Sequence, residues 1–574
     1  MTINKLTMKR VLLSILFCAF ISISLSARSP RERVFISTDK DVYVAGEKVW
    51  ISGFCFKLDN GEMALSDISS LLYIEIYADA KPVSAIKMGL ENGRGSAWAD
   101  LPLNLATGNY KIIAYTSYMR NEKPIPYFEK SISIYNTLST ERLPGVKIES
   151  LEAISKADNY SVAIANNEHI EIQLPLQGKL SKETDFEWSI SNKLNKNISA
   201  SISIYRKDSI PIYNNMRIDN FIKGGIKAID GDFSGDYIPE YEGEIIKGRV
   251  TPANGGDVSK LSGNDVFISF PGGDGEFYTS ITNENGEVLF FTNNFYGDRE
   301  CVLEVVPRDT SSKFIVELFD PFIHPEVNPS SQLTLFPSLA THLEERSMSM
   351  QLMKRFGADT LFQTKLPLHN PLFGSKKRVY RLDDYTRFPV MEEVLIEYVA
   401  ELRYRKNENN AQILVRWDKD LNTVEYSREH TLVLLDGVPV FNHSKILEYD
   451  PLKVESLSIY GSRFYTGHLS FTGIASFKTY SGNYQGLTFD KSVRIVDIEG
   501  AKPISRLTGE EFKDGQYPDF RHTLLWEPLS TISALGISKF YLKTPSVTGQ
   551  YVVVLQGVTD GGEPVYFEQE FSVE

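Results

Sequence analysis

Histidine is the side chain best suited to proton transfer near neutral pH and is a common zinc ligand. The chain carries eight histidines, and no two lie within four residues of each other, so the sequence offers no local pair of zinc ligands. His342 and Glu345 have a His-x-x-Glu spacing, which we interpret as the solvated start of a helix. Asp519 and His522 could supply two members of a catalytic triad, but we interpret them as surface polar residues near the start of a strand.

An acidic loop is the best candidate for metal binding. In residues 230–236, DGDFSGD, two aspartates, a serine and a glycine have the spacing that begins a calcium-binding loop. Position twelve is Tyr241, where such a loop needs a bidentate glutamate, so we interpret the stretch as an acidic linker. Residues 272–275, GGDG, are interpreted as a hairpin loop. We therefore predict no catalytic, cofactor-binding or metal-binding residue, and no cofactor.

The charge balance argues against a nucleic acid as the partner. The 574 residues include 61 basic and 74 acidic side chains, for a formal net charge of −13, whereas nucleic-acid-binding proteins carry a basic surface. The basic run at 376–378 is interpreted as a solvated connector, with a contact to anionic lipid headgroups as the alternative. Three cysteines exclude a disulfide-built scaffold. We predict Cys55 and Cys301 to be two separate buried thiols.

The first 26 residues have the pattern of a secretory signal peptide. Basic residues in 1–10 precede the apolar run 11–26, which is short for a membrane span and ends in small residues. A lipid anchor at Cys18 is the alternative, although Phe17 stands where lipoprotein signals have a small residue. No later stretch reaches about 18 apolar residues, so we expect no membrane-spanning helix in the mature chain.

Short alternating apolar strands, separated by turn residues, dominate the next three hundred residues. They predict antiparallel β-sandwiches over 31–137, 138–235 and 236–326. In the second sandwich, apolar and polar residues alternate over 198–205, which predicts a strand with one buried face. The predicted fold class is mainly β, with tandem Ig-like sandwiches.

A helical connector is predicted over 327–378. Thr341 and Glu344 form a capping box, and Gly357 closes the helix. The apolar positions that share one face of this helix are Leu339, Leu343, Met350 and Met353.

A mixed α+β segment is predicted over 379–484. Its first helix spans 390–399, where apolar residues recur at helical spacing. A β-rich segment over 485–574 is predicted to complete the chain.

The N-terminal half resembles two known kinds of sandwich. Residues 39–50, DKDVYVAGEKVW, together with 105–112, LATGNYKI, resemble the MG2 domain of the alpha-2-macroglobulin family. Residues 138–235 resemble the macroglobulin-type domain that follows it. Residues 241–250, YEGEIIKGRV, with 283–290, NENGEVLF, resemble a carboxypeptidase regulatory-like domain. The resemblance implies tandem macroglobulin-like sandwiches.

The α+β segment resembles the plug domain of TonB-dependent outer-membrane receptors. The resemblance lies in 432–440, LVLLDGVPV, then 450–459, DPLKVESLSI, then 473–480, GIASFKTY. The helix at 387–394 stands where the first helix of the plug is expected. The tract 460–467, YGSRFYTG, keeps the opening Tyr-Gly of the family but not the small residue in its middle.

The chemistry of these families is not expected here. A thioester trap needs a Cys-Gly-Glu-Gln run, which neither Cys55 nor Cys301 has, and nothing resembles a zinc peptidase domain. About 90 residues follow the plug-like segment, whereas a receptor barrel needs about 22 strands of about 9–11 residues each. We therefore expect a plug-like domain without its barrel.

The combined pattern predicts a non-enzymatic, secreted interaction or scaffold protein of the Gram-negative periplasm, associated with the outer membrane. The resemblance implies that the plug-like domain fills or contacts a separately encoded outer-membrane β-barrel or envelope protein. We expect a crosslinking residue at Tyr460 or Phe464, in the tract 460–467, to report such a contact. The alternative is a glycan- or peptide-binding envelope protein that uses its sandwiches. A hydrolase within 485–574 is the least favoured interpretation.

Overall fold

A computed structural model describes residues 29–149, 166–208, 210, 216–224, 226, 232–253, 257–272, 276–309, 311–366, 377–407, 410–420, 423–426, 431–490, 492–512, 515 and 517–574. The predicted signal peptide and Cys18 lie outside the described residues, as do Asp230, residues 273–275 and Lys376. The chain is mainly β and its strand pairs are mostly antiparallel, so the predicted fold class is confirmed.

The first unit matches the strand pattern of 31–137 closely. Its strands join in one sheet in the order β1-β3-β7-β6-β5-β8-β9-β2, with β4 beside β3. The buried apolar side chains of these strands form a single core that includes Phe35, Ile74 and Ile112. In chain order the strands are β1 (Arg31–Thr38), β2 (Val42–Val44), β3 (Lys48–Asp59), β4 (Glu62–Leu65), β5 (Leu71–Ala78), β6 (Lys81–Glu91), β7 (Arg94–Asp100), β8 (Gly108–Tyr115) and β9 (Phe128–Tyr135).

The next two stretches also form strands where the sequence predicts them. In the third unit, two facing sheets have the strand orders β18-β15-β20 and β17-β16-β19. The elements are β10 (Val146–Ile148), β11 (Ile170–Gln173), β12 (Lys179–Leu180), β13 (Asp185–Asn192), β14 (Ile198–Arg206), α1 (Ile218–Lys223), β15 (Ile245–Pro252), β16 (Asp265–Phe270), β17 (Glu276–Ile281), β18 (Glu287–Phe291), β19 (Asp298–Val306) and β20 (Phe314–Leu318).

The helical connector and the α+β segment follow. We call the segment 379–484 the plug-like unit, after its sequence resemblance. Its sheet has the order β23-β29-β30-β27-β28, in which β27 runs parallel to β30, and α3 and α4 cover one face. The elements are β21 (Leu333–Leu335), α2 (Ala340–Arg355), β22 (Gln363–Lys365), β23 (Arg378–Arg381), α3 (Met391–Glu397), β24 (Leu402–Asn407), β25 (Asn410–Asp420), β26 (Thr423–Tyr426), β27 (Leu432–Leu435), β28 (Val438–Pro439), α4 (Ser444–Leu447), β29 (Val454–Thr466) and β30 (Leu469–Thr479).

The C-terminal segment pairs with strands from most of the rest of the chain. β31 pairs with β19 of the third unit, β32 with β6 of the first, and β33 with β22 of the connector. The elements are β31 (Arg494–Glu499), β32 (Ala501–Lys502), β33 (Ile504–Arg506), β34 (Thr523–Ile532), β35 (Ile537–Lys543), β36 (Gly549–Thr559) and β37 (Pro564–Val573).

Segments that we predicted as separate units, 138–235 and 485–574, share one core. β14 lies between β34 and β36, and β13 pairs with β35. The apolar side of β14 packs against Leu525, Val553 and Leu555. The alternation along β14 marks a face that must be buried, but it carries no information about which distant strand covers that face.

The polar face of β14 is buried as well, which corrects the prediction of one buried face. Ser201 Oγ lies 3.1 Å from Ser37 Oγ, and Ser203 donates to the carbonyl oxygen of Asp39 at 2.6 Å. Because small hydroxyl side chains satisfy each other at this contact, the first unit packs on the polar side of the strand.

The helix α2 begins one residue before the predicted capping box. Leu339 is the N-cap residue, and no side chain caps the helix, so the predicted Thr341–Glu344 box is wrong. The C-terminal end is as predicted, because Gly357 adopts a left-handed φ of 67° directly after the helix. The second predicted helix, over 390–399, is confirmed as α3.

Cys55 and Cys301 are both buried and free, as predicted. They lie in different units, on β3 and β19. Burial raises the pKa of both thiols, and Glu32 adds to the effect at Cys55.

Leu555→Ala tests the shared core. Leu555 is fully buried on β36, so the variant is expected to lose about 2–5 kcal/mol of unfolding free energy, measured by urea denaturation. Hydrogen exchange is expected to accelerate over 198–206 as well as over 549–559, because β14 and β36 are neighbours. The matched control is Leu535→Ala at a side chain that is 69% exposed. An effect confined to 549–573 would argue for two separate cores.

Candidate functional site

The motif at 39–50 forms a tight buried corner between β1 and β3. The Asp39 carboxylate accepts hydrogen bonds from the Tyr43 hydroxyl at 2.8 Å and from the Trp50 amide at 3.2 Å. Lys40 Nζ lies 2.8 Å from the same carboxylate. Gly46 has a φ of 97°, and an added Cβ would lie 2.6 Å from Leu103, so the corner needs glycine there. The motif is therefore structural at its centre.

Arg346 of α2 connects this corner to the second unit. Its guanidinium donates to both Glu47 carboxylate oxygens, at 3.0 and 2.9 Å, and to Asp208 Oδ2 at 2.9 Å. It also donates to the Val42 carbonyl oxygen. The Arg346 side chain is 3% exposed. A buried guanidinium is stable only when its charge and its donors are matched in this way.

The C-terminal segment completes the cluster. Thr523 Oγ1 donates to Asp39 Oδ2 at 2.6 Å and accepts from Lys40 Nζ at 3.2 Å. His522 Nε2 lies 3.5 Å from Asp208 Oδ2. We call the set Asp39, Lys40, Glu47, Asp208, Arg346, His522 and Thr523 the charged junction.

The charged junction shifts the pKa values of its members. Burial opposes ionisation of Glu47, but Arg346 and Lys40 outweigh it and lower the pKa of Glu47 to about 2. Burial and the nearby Arg346 lower the pKa of His522 to about 4, against the opposing effect of Asp208. His522 is therefore a neutral imidazole at neutral pH, beside a carboxylate and a guanidinium that stay charged.

A half-open cavity of about 110 Å³ adjoins the charged junction. The first unit, α2 and the residues around 507–523 all contribute to its walls. Met353 and Phe512 provide apolar surface, and His522 is among the lining residues. The cavity is thus formed by segments that are distant in the sequence.

The plug-like unit uses one face of its sheet to pack on the third unit. Tyr460 is 6% exposed in a cluster with Phe267 and Phe277, and the Phe464 ring centroid lies 5.9 Å from that of Phe277. His468 Nε2 lies 2.6 Å from Asp265 Oδ1. The two positions where we expected to detect a partner, Tyr460 and Phe464, therefore face another unit of the same chain, whereas Tyr465 in the same tract is 67% exposed.

A second region of the plug-like unit exposes aromatic rings. Tyr385 stacks on Tyr398 with a centroid separation of 4.4 Å and an interplanar angle of 7°, and Phe388 lies 6.3 Å from Tyr398. The Tyr480 hydroxyl donates to Asp383 at 2.6 Å, which brings a second exposed tyrosine to this region. Tyr385 is 40% exposed and Tyr480 is 55% exposed. We call Tyr385, Phe388, Tyr398 and Tyr480 the aromatic surface.

The residues that we considered for catalysis do not assemble into a triad. Asp519 is buried and pairs with Arg521 at 2.7 Å, whereas His522 approaches Asp208, so our interpretation of Asp519 and His522 as surface residues is wrong. Both residues lie just before β34, and they are buried because the stretch that leads into this strand already lies in the interior of the protein. Glu345 is exposed and pairs with Arg206 at 3.1 Å.

The other candidate sites are partly described. In the acidic loop, Ser234 Oγ donates to Asn121 at 3.1 Å. In the basic run, Arg378 pairs with Glu401. Within the ranges that the structure describes, no three His, Cys, Asp or Glu side chains form a group that could hold a metal ion. In the same ranges, no helix has the length and apolarity needed to cross a membrane.

Arg346 is a site residue that we did not predict, although the sequence contains a signal for it. Arg346 falls between Leu343 and Met350 at helical spacing, on the face that we predicted to be apolar. A charge in an apolar stripe indicates a buried ion pair. No comparable local signal marks Asp208.

No protein-family model and no curated protein matches the chain. Among solved structures, Salmonella alpha-2-macroglobulin reacted with methylamine aligns with 94% of this chain and 39% of its own, at 8% identity and a TM-score of 0.24. Trypsin-activated Escherichia coli alpha-2-macroglobulin aligns with 95% of this chain and 41% of its own, at 10% identity and a TM-score of 0.24.

An Escherichia coli adhesin aligns with 48% of this chain and 60% of its own, at 9% identity and a TM-score of 0.13. The chain spans about two fifths of the length of the alpha-2-macroglobulins that it matches. TM-scores this low carry no argument about fold or activity.

Arg346→Met tests the charged junction. The variant leaves Glu47 and Asp208 buried without their cation, and we expect a loss of about 3–5 kcal/mol in unfolding free energy by urea denaturation. The matched control is Lys354→Met on the same helix, where the 3.3 Å pair with Asp359 is partly exposed and about 0–1 kcal/mol is expected. Equal effects of the two substitutions would contradict the assigned role of Arg346.

His522 predicts a pH dependence of stability. Its pKa is lower in the folded state (about 4) than its usual 6.5, so its contribution is complete above pH 6.5 and is lost as the pH falls towards 4. Compared with His522→Gln, the unmodified chain is expected to lose about 3 kcal/mol more between pH 7 and pH 4. The comparison is necessary because burial raises the pKa of Glu240 and Glu304 to about 7, which gives the opposite slope. Parallel pH profiles would contradict the prediction.

Proposed function

We propose that this chain is a non-enzymatic interaction protein of the bacterial envelope. In this proposal the β-sandwich units form a scaffold, and the plug-like unit docks on a separately encoded outer-membrane protein. The exposed aromatic surface of the plug-like unit is the observation that carries the proposal. The signal-peptide pattern of the first 26 residues and the resemblance of 432–480 to receptor plugs support a periplasmic location at the outer membrane.

The pairing of the C-terminal segment supports the scaffold role. Its strands add to sheets of the first, second and third units and of the connector. Backbone hydrogen bonds between units restrict their relative movement more than flexible linkers do. Such an assembly suits a protein that holds one unit in a defined orientation towards a partner.

The position of the aromatic surface supports docking through this side of the plug-like unit. Tyr460 and Phe464 are covered by the third unit, whereas Tyr385 and Tyr480 are exposed. Tyrosine is enriched at protein interfaces because its ring buries apolar area and its hydroxyl forms hydrogen bonds. The stacked partner, Tyr398, holds the ring of Tyr385 in place and so lowers the entropy that binding would cost.

Site-specific crosslinking in intact cells tests the proposal. A photoreactive residue at Tyr385 or Tyr480 is expected to form a discrete adduct with an outer-membrane protein, detected by mass spectrometry after purification of the full chain. The matched control is the same residue at Leu176, which is 72% exposed on the second unit and is expected to form no such adduct. Adducts at Leu176 alone, or none at either tyrosine, would overturn docking through the plug-like unit.

A glycan-binding role is the second candidate, because exposed tyrosine rings also stack on sugars. Pull-down on cell-envelope polysaccharide separates the two candidates. Retention of the full chain that Tyr385→Ala abolishes, with no crosslinked protein, would favour the glycan role. Retention unchanged by Tyr385→Ala would exclude the aromatic surface as the glycan site.

A further inference from the structure

The linker between β20 and β21 contains an Asp-Pro bond, 320–321, and a histidine four residues after the aspartate. Every residue of 319–332 is described, and none of them belongs to a helix or a strand. The Asp320 side chain is 59% exposed. An Asp-Pro bond breaks in acid more readily than other peptide bonds, because the aspartate side chain attacks its own carbonyl carbon and the prolyl nitrogen is a basic leaving group. Solvent can therefore reach a chemically labile bond.

His324 connects the Asp320 carboxylate to a buried carboxylate of the first unit. Its Nε2 lies 3.1 Å from Asp320 Oδ2, and its Nδ1 lies 2.7 Å from Glu75 Oε2. The Glu75 side chain is fully buried, and the hydroxyl groups of Tyr115 and Tyr77 also donate to it, at 2.7 and 3.0 Å. A buried carboxylate thus holds one nitrogen of the imidazole, and the other nitrogen faces the exposed aspartate beside the labile bond.

This arrangement keeps a proton on His324. Burial lowers the pKa of His324, but the hydrogen bonds to Asp320 and Glu75 outweigh it and raise the pKa above its usual value. In the part of the chain that the structure describes, no lysine or arginine pairs with Glu75, so the imidazolium is its counter-charge. An imidazolium that persists near neutral pH can act there as a general acid.

The residues that follow the labile bond are fixed to the first unit. The Phe322 ring packs edge-on against Tyr73 with a centroid separation of 5.6 Å, and the Ile323 amide donates to the Tyr115 hydroxyl at 2.9 Å. His324 has a φ of 44°, in the left-handed region that residues other than glycine rarely adopt. Such backbone strain persists only where the surroundings hold it. The imidazole is therefore positioned beside the bond before any reaction, which lowers the entropy cost of catalysis.

A second Asp-Pro bond in the same chain, 450–451, lacks the imidazole. In both turns the Oδ1 atom of the aspartate accepts a hydrogen bond from the amide two residues later, at 2.9 Å. Asp320 and Asp450 are both exposed. The residue four positions after Asp450 is Val454, where the linker has His324. The chain therefore contains an internal comparison for the effect of the histidine.

We propose that the chain cleaves its own Asp320–Pro321 bond, with the Asp320 carboxylate as nucleophile and the His324 imidazolium as general acid. A carboxylate oxygen of Asp320 attacks the carbonyl carbon of the same residue. The C–N bond to Pro321 breaks as His324 gives its Nε2 proton to the prolyl nitrogen, which leaves a cyclic anhydride at Asp320. One water molecule opens the anhydride to two carboxylates and two protons, of which one restores the imidazolium and the other protonates the new amino terminus.

The proposed reaction is a single self-cleavage, so it needs no external substrate and is compatible with a scaffold role. It breaks the covalent connection between 1–320 and 321–574. Across the cut, β14 stays between β34 and β36, and β19 stays paired with β31. We therefore expect a nicked protein whose two fragments separate only on denaturation. Because the aromatic surface takes no part in this reaction, the two proposals can fail independently.

Incubation of the purified full chain at neutral pH tests the proposal. Denaturing electrophoresis and mass spectrometry are expected to show one fragment that ends at Asp320 and one that begins at Pro321. Cleavage there is expected to be about a hundredfold faster than at the 450–451 bond, since a positioned general acid contributes about 10²–10⁴-fold. The rate is expected to be independent of protein concentration, because the reaction is intramolecular.

His324→Val is the matched variant, because it gives the linker the residue that follows the second Asp-Pro bond. It is needed since Pro451 is more buried than Pro321. The variant is expected to slow cleavage by about a hundredfold. His324→Gln, which retains a hydrogen-bonding side chain but has no acidic proton, is expected to slow it similarly. Asp320→Ala removes the nucleophile from an exposed position and is expected to abolish cleavage while circular dichroism stays unchanged.

Heavy-oxygen water separates self-cleavage from cleavage by a contaminating protease. Water opens a cyclic anhydride at either carbonyl carbon, so part of the heavy oxygen is expected in the side-chain carboxylate of Asp320, located by tandem mass spectrometry. A protease adds water only at the main-chain carbonyl carbon. Label confined to the main-chain carboxylate would therefore overturn the proposal. So would survival of the 320–321 bond for as long as the 450–451 bond, or an unchanged rate in both folded His324 variants.

Discussion

A buried guanidinium must be neutralised on every side, and in this protein that constraint lies where distant segments meet. Arg346 projects from the connector helix α2 and contacts Glu47 of the first unit and Asp208 of the second. His522 of the C-terminal segment adjoins Asp208. Because a displaced partner would leave a charge buried alone, the relative positions of these segments depend on one another. The charged junction thus couples the units more strictly than apolar contacts, which tolerate sliding.

The C-terminal segment extends this coupling through backbone pairing. Residues 494–506 add short strands to three sheets in succession, and 523–573 supply about half of the core that they share with the second unit. Such non-local pairing carries a large loop-closure entropy, so these sheets are expected to complete late in folding. Once formed, they hold the sandwiches as a single frame. The cavity lies within that frame, and the unit that carries the aromatic surface packs on it through the third unit.

In the plug-like unit, the contact with the third unit determines which surface stays exposed for a partner. β16 carries apolar residues on both faces, with Val266 and Ile268 towards the third unit's core and Phe267 towards the plug-like sheet. A continuous apolar run of this kind is typical of a strand buried on both sides. Because the third unit packs on Tyr460 and Phe464, the rings of Tyr385 and Tyr480 are among the aromatic side chains that the unit leaves exposed.

The sequence by itself determined the mainly β fold, most strands of the first and third units, the helices α2 and α3 and the two isolated thiols, since these follow from local periodicity and turn residues. It also located the motif around Asp39 and Glu47. The sequence did not indicate that Asp208 or His522 lies beside that motif. It also led us to assign β14 to a different unit from β34 and β36. Only the tertiary structure decided these contacts. Alternation shows that a face is buried but not what buries it, and an ion pair between residues 299 positions apart, such as Glu47 and Arg346, leaves no local pattern.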